Sequence, residues 1–256
     1  MTYEERVALA TEQPPWMYEM DLGDGITTPL LSEELRSIHT TRELIVTELL
    51  DRQYPGGLHG RTCLDVGCNE GFFSHLLYHR GARVSGLDIR AENIRRARLV
   101  QQIKGLDPAR LDFTTADFFD VPPPAGGFEV TLALGLLYHL ENPMGAVRKL
   151  QALTRGVCIV ESQVTRQINP ITSGWGQYGA TLELPASMAI LREEHHALDR
   201  LASHGGTLSF IPNLAALTLM MTTAGFARVE RLPARPGMNP QYLDQDRIML
   251  AGFATP

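Results

Sequence analysis

Carboxylates close three of the apolar runs that the sequence predicts to be strands. Asp65 and Asp88 end the first two runs, and Asp117 follows the third. A carboxylate at the end of a strand can receive an ammonium group or accept hydrogen bonds from ribose hydroxyls. Asp88 stands 21 residues after Gly67, about the spacing at which an acidic residue contacts a ribose in nucleotide-binding folds. These positions indicate a pocket for a nucleoside.

Two glycines bracket the turn between the first predicted strand and the helix that begins at Phe72. Gly67 and Gly71 let a ligand approach the backbone, and the free N–H groups of the helix N-terminus favour an anionic group. The pattern is G-x-x-x-G with Asn69 in the middle, whereas dinucleotide sites use G-x-G-x-x-G. The sequence contains no G-x-x-x-x-G-K-[ST] motif, which excludes a P-loop. The turn therefore argues against a dinucleotide.

Apolar side chains beside the carboxylates suit a purine base. Ile89 follows Asp88 and could pack on the base, and Phe118 follows Asp117. A carboxylate and an aromatic ring together suit the amino group and the face of adenine. Gly135 ends the fourth predicted strand. The set describes a nucleoside pocket with an amine at one end.

Strands and helices alternate from residue 62 to residue 161, which predicts βαβ units and a parallel sheet. A helical stripe from Ser32 to about Tyr54 precedes them, with Ser32 as the capping residue. Ligands of such sheets bind at the carboxyl ends of the strands. The predicted strands are 62–66, 83–88, 111–115, 128–134 and 157–161, and the predicted helices are 72–80, 91–104 and 143–154.

The alternation stops over residues 162–211, and an insertion of this length is often a lid. We predict a helical piece at 186–192 inside this insertion. The chain then returns to regular structure, with a helix at 212–224 and strands at 226–232 and 247–253 that could form an antiparallel pair. The whole chain, 1–256, is therefore expected to be one domain with a lid.

Aromatic residues outside the sheet could contact an acceptor. Trp16 and Tyr18 lie in the N-terminal segment, 1–31, which we expect to form a cap, and Trp175 and Tyr178 lie in the insertion. These four side chains either line an acceptor pocket or pack the cap and the lid onto the domain.

Composition narrows the class of protein. A length of 256 residues fits one large α/β domain, and a formal charge of −6 disfavours a polynucleotide substrate bound through its phosphates. The odd number of cysteines (Cys63, Cys68 and Cys158) predicts a reducing cytosol and no disulfide framework. The N-terminus lacks the apolar core of a signal peptide, and no apolar run approaches the ~20 residues of a membrane span. We expect a cytoplasmic protein without membrane contact.

The segments 64–71, 87–88, 116–118 and 135–140 resemble the motifs of class I S-adenosylmethionine-dependent methyltransferases. The resemblance covers about residues 60–162. It implies a Rossmann-like α/β fold, a three-layer α/β/α sandwich with a seven-stranded, mostly parallel sheet whose last strand is antiparallel. It also implies S-adenosyl-L-methionine as the cofactor.

The resemblance further implies which residues bind that cofactor. The first carboxylate and the glycine turn would meet the methionine part, the second carboxylate the ribose, and the third carboxylate with its phenylalanine the adenine. The family has a third glycine where Asn69 stands, which is tolerable if Asn69 adopts the left-handed conformation. The implied cofactor-binding residues are Asp65, Gly67, Cys68, Asn69, Gly71, Phe72, Asp88, Ile89, Asp117, Phe118 and Gly135.

A narrower likeness concerns residues 135–143 and 210–226, which resemble the tRNA wobble-uridine carboxymethyltransferase group and its relatives. In that group the tyrosine of a Tyr-His pair faces the transferred group, and a basic residue near the last strand assists. Tyr138, followed by His139, fits the first role and Arg247 fits the second. Many relatives of that group act on small molecules.

Methyl transfer is an in-line displacement at a sulfonium. The donor is already activated, so the protein supplies alignment, a dry site and sometimes a base. Tyr138 and His139 stand where a base or an orienting group would be needed. We therefore predict a methyltransferase that acts on a small-molecule acceptor, as a monomer or homodimer.

Two other functions stay open at this point. One is methyl or carboxymethyl transfer to a tRNA wobble uridine, and the other is a non-catalytic S-adenosylmethionine-binding subunit. No metal is expected, because adjacent histidines such as His195 and His196 would point about 100° apart on a helix.

Overall fold

Seven strands form the central sheet of the computed structural model, which describes residues 2–12, 15–166, 186–192 and 208–255. In chain order the elements are α1 (Tyr3–Glu12), β1 (Asp21–Gly23), β2 (Ile26–Thr27), α2 (Glu33–Gln53), β3 (Thr62–Val66), α3 (Phe72–His79), β4 (Arg83–Asp88), α4 (Ala91–Ile103), β5 (Leu111–Thr115), β6 (Phe128–Leu134), a 3-10 turn (Leu137–His139), α5 (Pro143–Leu153), β7 (Thr154–Gln163), β8 (Met188–Arg192), β9 (Leu208–Pro212), α6 (Leu214–Ala224), β10 (Arg228–Leu232), α7 (Pro240–Leu243) and β11 (Arg247–Phe253).

The order of strands in the sheet is β10-β11-β7-β6-β3-β4-β5. Neighbours from β7 to β5 are parallel, whereas β11 runs antiparallel to both β7 and β10. The sheet therefore confirms the expected architecture, including the antiparallel last strand. The chain reverses its direction across the sheet between β3 and β6, so the carboxyl ends of these two strands frame a crevice in which ligands of such sheets bind.

Strands β3, β6 and β11 are buried on both faces, which explains why they are nearly continuous apolar runs, whereas the edge strands β5 and β10 are partly exposed. Successive residues of a strand point to opposite faces, and β3 shows this directly. Cys63 belongs to a buried cluster with Leu49 of α2 and Val100 of α4, whereas Leu64 belongs to a second cluster with Leu150 of α5. The result is the expected three-layer α/β/α sandwich.

Most of the predicted strand bounds agree with the structure, and pairing with neighbouring strands extends one strand beyond its apolar run. Five of the predicted strands have the predicted bounds, namely β3, β4, β5, β6 and β11. β7 is longer than predicted at both ends, because Thr154 pairs with Phe128 of β6 and Gln163 pairs with Arg247 of β11. Helix α2 begins at Glu33, but the Ser32 side chain makes no capping hydrogen bond.

The predicted helix at 186–192 is wrong. Residues Met188–Arg192 form β8, which pairs antiparallel with β9 from Met188 opposite Pro212 to Arg192 opposite Leu208. A partner distant in sequence thus overrides the local helical preference. The rest of the proposed lid, 162–211, falls largely outside the described residues, so the lid stays a prediction.

The N-terminal segment is fixed to the glycine turn by a buried ion pair. Glu70, in the turn, is fully buried and accepts hydrogen bonds from Arg96 Nη1 of α4 at 2.9 Å and from the backbone N–H of Tyr18 at 3.0 Å. The Arg96 guanidinium also lies 5.0 Å from the centre of the Trp16 ring. This ion pair therefore links three elements: the segment before β1, the turn after β3, and α4.

Loss of this pair should be costly. In Arg96→Met the Glu70 carboxylate would stay buried without its arginine, so we expect the free energy of unfolding to fall by about 3–5 kcal/mol in denaturant titrations. Arg95→Met on the same helix is the matched control, because Arg95 and its partner Glu92 are half-exposed. The control should cost less than about 1 kcal/mol. Equal losses in the two variants would contradict the role given to the buried pair.

Candidate active site

A cleft of about 390 Å³ opens at the carboxyl ends of β3, β4, β5 and β6. A large part of its wall comes from residues that end these strands or follow them. Those that line it are Val66, Gly67, Asn69, Leu87, Asp88, Ile89, Ala116, Asp117, Phe118, Phe119, Leu134, Gly135 and Leu136. The topology thus brings together most of the residues that the sequence marked as a nucleoside pocket.

Asp88 forms the centre of one wall. One of its carboxylate oxygens accepts the backbone N–H of Asn69 at 2.9 Å, and the other accepts that of Arg90 at 2.8 Å. Burial raises its pKa, although these backbone bonds oppose the shift. The Asn93 side chain also bonds this carboxylate and lowers its pKa. A carboxylate has about four acceptor positions, so Asp88 can still accept a hydrogen bond from a donor in the cleft.

Asn69 has the left-handed conformation that its position requires, with a φ of +52°. Its Oδ1 atom is buried and has no hydrogen-bond partner in the described part of the chain. An unpaired buried amide oxygen is costly in a finished core but expected where a ligand donates the missing hydrogen bond. Asn69 also lines the cleft, so this atom marks the glycine turn as a ligand-binding element.

Three residues of the predicted set support the turn and do not line the cleft. Gly71 has a φ of +85°, and a Cβ atom there would lie 2.7 Å from Cζ of Phe113, so only glycine fits. Cys68 is buried, and burial raises the pKa of its thiol well above the ordinary value. Phe72 stacks on the ring of Tyr18 with their centres 5.2 Å apart.

Asp65 also lies behind the cleft wall. It is buried and accepts a hydrogen bond from Ser74 Oγ at 2.7 Å. Burial raises the pKa of Asp65 to about 7, the Ser74 hydrogen bonds lower it, and the nearby Asp88 raises it further. The free protein therefore holds this carboxyl in partly protonated form at neutral pH.

The part of the cleft wall formed by residues after β4 and β5 suits a flat apolar group. Asp117 accepts the backbone N–H of Phe119 at 2.9 Å, which orients its carboxylate in the loop after β5. Phe118 is buried, and Ile89 and Phe119 remain 41% and 36% exposed beside it. Phe119 was not in the predicted set, although its position next to Phe118 gave the same signal.

A buried polar network closes the opposite end of the cleft around Glu161. Glu161 is fully buried, and its two oxygens accept hydrogen bonds from Arg42 Nη2 at 2.9 Å, Tyr242 Oη at 2.9 Å and Arg247 Nη1 at 3.1 Å. Burial alone would raise the pKa of Glu161, but Arg42 and Arg247 hold it below its ordinary value. Glu161 is therefore an anion shared by two cations.

The predicted catalytic residues meet at this network. Arg247 Nη1 donates to the hydroxyl of Tyr138 at 3.3 Å, and the rings of Tyr138 and His139 have their centres 4.2 Å apart. Tyr138, His139 and Arg247 all line the cleft. Burial alone would lower the pKa of Arg247, but Tyr138 and Glu161 raise it, so this side chain stays charged.

Sequence reasoning missed Arg42, Glu161 and Tyr242. Glu161 follows the apolar run Val157–Val160, the same signal that identified Asp65 and Asp88. Arg42 interrupts the apolar stripe of α2, and a charge in such a stripe indicates a buried partner. Tyr242 carried no signal, because its role depends on contacts with residues far away in the sequence.

The predicted acceptor-binding aromatics separate into two groups. Tyr18 lines the cleft, and its hydroxyl accepts a hydrogen bond from Arg42 Nη1 at 3.4 Å. Trp16 lies outside the cleft: it is fully buried, and its indole N–H donates to the Ala10 carbonyl at 2.9 Å. Trp175 and Tyr178 fall outside the described residues.

Strands β8 and β9 also contribute to the cleft, through Leu191, Ser209 and Ile211. Ser209 is buried, and its hydroxyl has no hydrogen-bond partner among the described residues. The described portion of the chain contains no cluster of three or more side chains that could hold a metal ion, and none of its helices is long and apolar enough to cross a bilayer.

Comparison with known sequences supports the domain type. Residues 64–158 match the family described as a methyltransferase domain. Ubiquinone biosynthesis O-methyltransferases are similar: that of Sodalis glossinidius (strain morsitans) is 31% identical over 125 residues, 49% of each chain, and that of Pseudomonas paraeruginosa is 31% identical over 122 residues, 48% of this chain and 50% of the relative. The chain thus spans about half the length of the curated relatives it matches.

Solved structures show the same fold over the whole chain. The N-terminal domain of EvdMO1, solved in the presence of SAH and D-fucose, has a TM-score of 0.70 and 23% identity, with 100% of this chain and 98% of that chain covered. Magnesium protoporphyrin IX methyltransferase (ChlM) from Synechocystis PCC 6803 with bound SAM has a TM-score of 0.57 and 17% identity, covering 91% and 87%. These likenesses show the class I methyltransferase fold.

Because the pKa of Asp65 is raised in the folded protein, the stability of the fold should depend on pH. In the unfolded chain this carboxyl titrates near its ordinary pKa of about 4, and in the folded protein at about 7. The folded state binds the proton more tightly, so this contribution to stability is complete at low pH and is lost as the pH rises to about 7. Asp65→Asn keeps an oxygen for Ser74 and removes the titration.

We therefore expect Asp65→Asn to gain stability relative to the wild type between pH 5 and pH 8, as measured by urea unfolding of the ligand-free protein at each pH. Asp112→Asn, at an exposed position of β5, should follow the wild-type curve. A difference between Asp65→Asn and wild type that stays constant with pH would show that Asp65 keeps its ordinary pKa.

Proposed function

We propose that this chain of class I methyltransferase fold transfers a methyl group from S-adenosylmethionine to a small organic acceptor. The observation that carries the proposal is the wall of the cleft in which Asp88, Asn69 and Asp117 stand together at the ends of adjacent strands. These side chains present acceptors for ribose hydroxyls, for an amine and for an adenine amino group.

The residues present fit this cofactor. Asp88 would hold the ribose hydroxyls, Asp117 with Phe118 and Ile89 the adenine, and the glycine turn the amino-acid end. The unpartnered Oδ1 atom of Asn69 provides an acceptor in that turn. When bound, the cofactor supplies a methyl group on a positively charged sulfur that is ready for displacement.

Tyr138 is the best candidate to orient the acceptor. Its ring is buried, and its hydroxyl is held by Arg247, which is itself fixed by Glu161 and by Gln241 Oε1. A hydroxyl placed in this way can hydrogen-bond the attacking atom without a large loss of side-chain entropy. His139 lies beside it and could accept a proton from the acceptor.

Several observations favour a small acceptor. The cleft has a volume of about 390 Å³ and is lined in part by residues of β8 and β9, and the relatives described above include O-methyltransferases of ubiquinone biosynthesis. The likeness to the tRNA wobble-uridine group has no support among those relatives, and the formal charge of −6 disfavours a polynucleotide. A non-catalytic subunit would bind the donor without turnover. Methyl transfer by the purified chain would therefore rule out this alternative.

The role of Asp88 can be tested by calorimetry. We expect Asp88→Ala to weaken binding of S-adenosylhomocysteine at least tenfold, about 1.4 kcal/mol, because the ribose hydroxyls would lose their acceptor. Asp112→Ala removes an exposed carboxylate of β5 and should bind as the wild type does. Thermal unfolding of each variant shows that it is folded. If the wild type binds neither S-adenosylmethionine nor its demethylated product, the proposed function is wrong.

The role of Tyr138 needs turnover and affinity measured separately. We expect Tyr138→Phe to lower kcat by about 10²-fold with an acceptor identified from isotope transfer, while the Kd of S-adenosylhomocysteine changes less than twofold. Tyr54→Phe is the control, since the Tyr54 hydroxyl bonds the Glu129 carbonyl near the start of β6, away from the cleft. If kcat is unchanged in Tyr138→Phe, this tyrosine has only a structural role.

A further inference from the structure

The two arginines and one carboxylate at the acceptor end of the cleft do not balance in charge. Glu161 is the anion, and Arg42 and Arg247 are the cations that bond to it. All three side chains are buried. The group therefore carries one net positive charge in a poorly solvated place, where an unmatched charge is costly.

The unmatched charge can be placed on Arg247. Each of the three side-chain nitrogens of Arg42 donates to a protein partner: Nε to Tyr242, Nη1 to Tyr18 and Nη2 to Glu161. Arg247 uses Nε and Nη1 on Gln241, Tyr138 and Glu161, and its Nη2 makes no hydrogen bond to the described residues. Arg247 is one of the residues that line the cleft.

Two further polar side chains line the same cleft as Arg247. Gln163 pairs with Arg247 across β7 and β11, so the two side chains emerge on the same face of the sheet, and both line the cleft. Ser209 lines the same cleft with a buried hydroxyl that lacks a partner among the described residues. These groups can donate hydrogen bonds to an anion held by Arg247.

The acidic side chains that line the cleft stand at its other end. Asp88 ends β4 and Asp117 follows β5, and Asp65 of β3 lies behind the cleft wall; these strands lie on the far side of β6 from β7 and β11. The donor brings its own positive sulfur next to the acceptor. A neutral acceptor would leave both positive charges unmatched, whereas an acceptor with an anionic group would neutralise one of them.

We propose that the acceptor carries an anionic group of the carboxylate class, which binds Arg247 with hydrogen bonds from Gln163 and Ser209. This inference rests on the proposed function, because it assigns the chemistry of that same cleft. Arg247 then determines specificity: it selects an acid over the corresponding amide or ester, because a neutral analogue leaves the buried guanidinium without its counter-ion.

Matched pairs of probes test the inference without knowledge of the natural acceptor. The protein is first saturated with S-adenosylhomocysteine, which reports separately on the proposed function. It is then titrated with 3,4-dihydroxybenzoate and 3,4-dihydroxybenzamide, and with indole-3-acetate and indole-3-acetamide. In each pair the two molecules have nearly the same shape and differ in charge. We expect at least one acid to bind tenfold or more tightly than its amide.

Variants place the preference on Arg247. Arg247→Gln should abolish the difference between acid and amide while the Kd of S-adenosylhomocysteine changes less than twofold. Arg83→Gln, at the exposed amino end of β4 and therefore away from the cleft, should keep the preference.

Two outcomes would overturn the inference. The first is that acid and amide bind equally to the wild type, or that neither acid binds. The second is that Arg247→Gln keeps the preference; if this variant also weakens S-adenosylhomocysteine binding tenfold, the cation belongs to the donor's own carboxylate. If S-adenosylhomocysteine does not bind to the wild type at all, the proposed function fails first.

Discussion

The buried carboxylate of Glu161 is the interaction on which the cleft depends. It draws Arg42 from α2, Tyr242 from α7 and Arg247 from β11 to one point at the end of β7. Burying three ionised groups costs desolvation free energy that their attraction only partly returns, so such a network is weak evidence for stability. Its value here is positional, because it fixes the hydroxyl of Tyr138 and the guanidinium of Arg247 at the cleft wall.

A second buried carboxylate, that of Glu70, fixes the elements around the glycine turn. Glu70 pairs with Arg96 and also accepts the backbone N–H of Tyr18, whose hydroxyl accepts a hydrogen bond from Arg42. Tyr18 therefore joins the two networks, one through its backbone and one through its side chain. The N-terminal segment is thereby held against both the glycine turn and the acceptor end of the cleft, which explains how a stretch with little regular structure keeps a defined position.

Much of the fold could be predicted because its signals are local. The bounds of five strands followed from apolar runs and the turn residues beside them. The carboxylates at the strand ends marked the wall of the cleft that Asp88 and Asp117 line. The positive φ of Asn69 meets the condition under which an asparagine can replace the third glycine of the family's turn. In each case the decisive information lay within a few residues of the position concerned, where hydrophobic period and backbone sterics act directly.

The rest depends on pairings between distant segments, which local patterns do not encode. β8 is a strand because β9 pairs with it, and the ring of Trp16 is buried where the Arg96 guanidinium of α4 lies over it. Arg42 and Glu161 are 119 residues apart, and only their meeting turns a charge in an apolar stripe and a carboxylate after an apolar run into one site. Charges in apolar patterns can be found from sequence, whereas their partners need the fold. The sequence therefore marked Tyr138, His139 and Arg247 at this end of the cleft, but not the buried Arg42, Glu161 and Tyr242 that hold them in place.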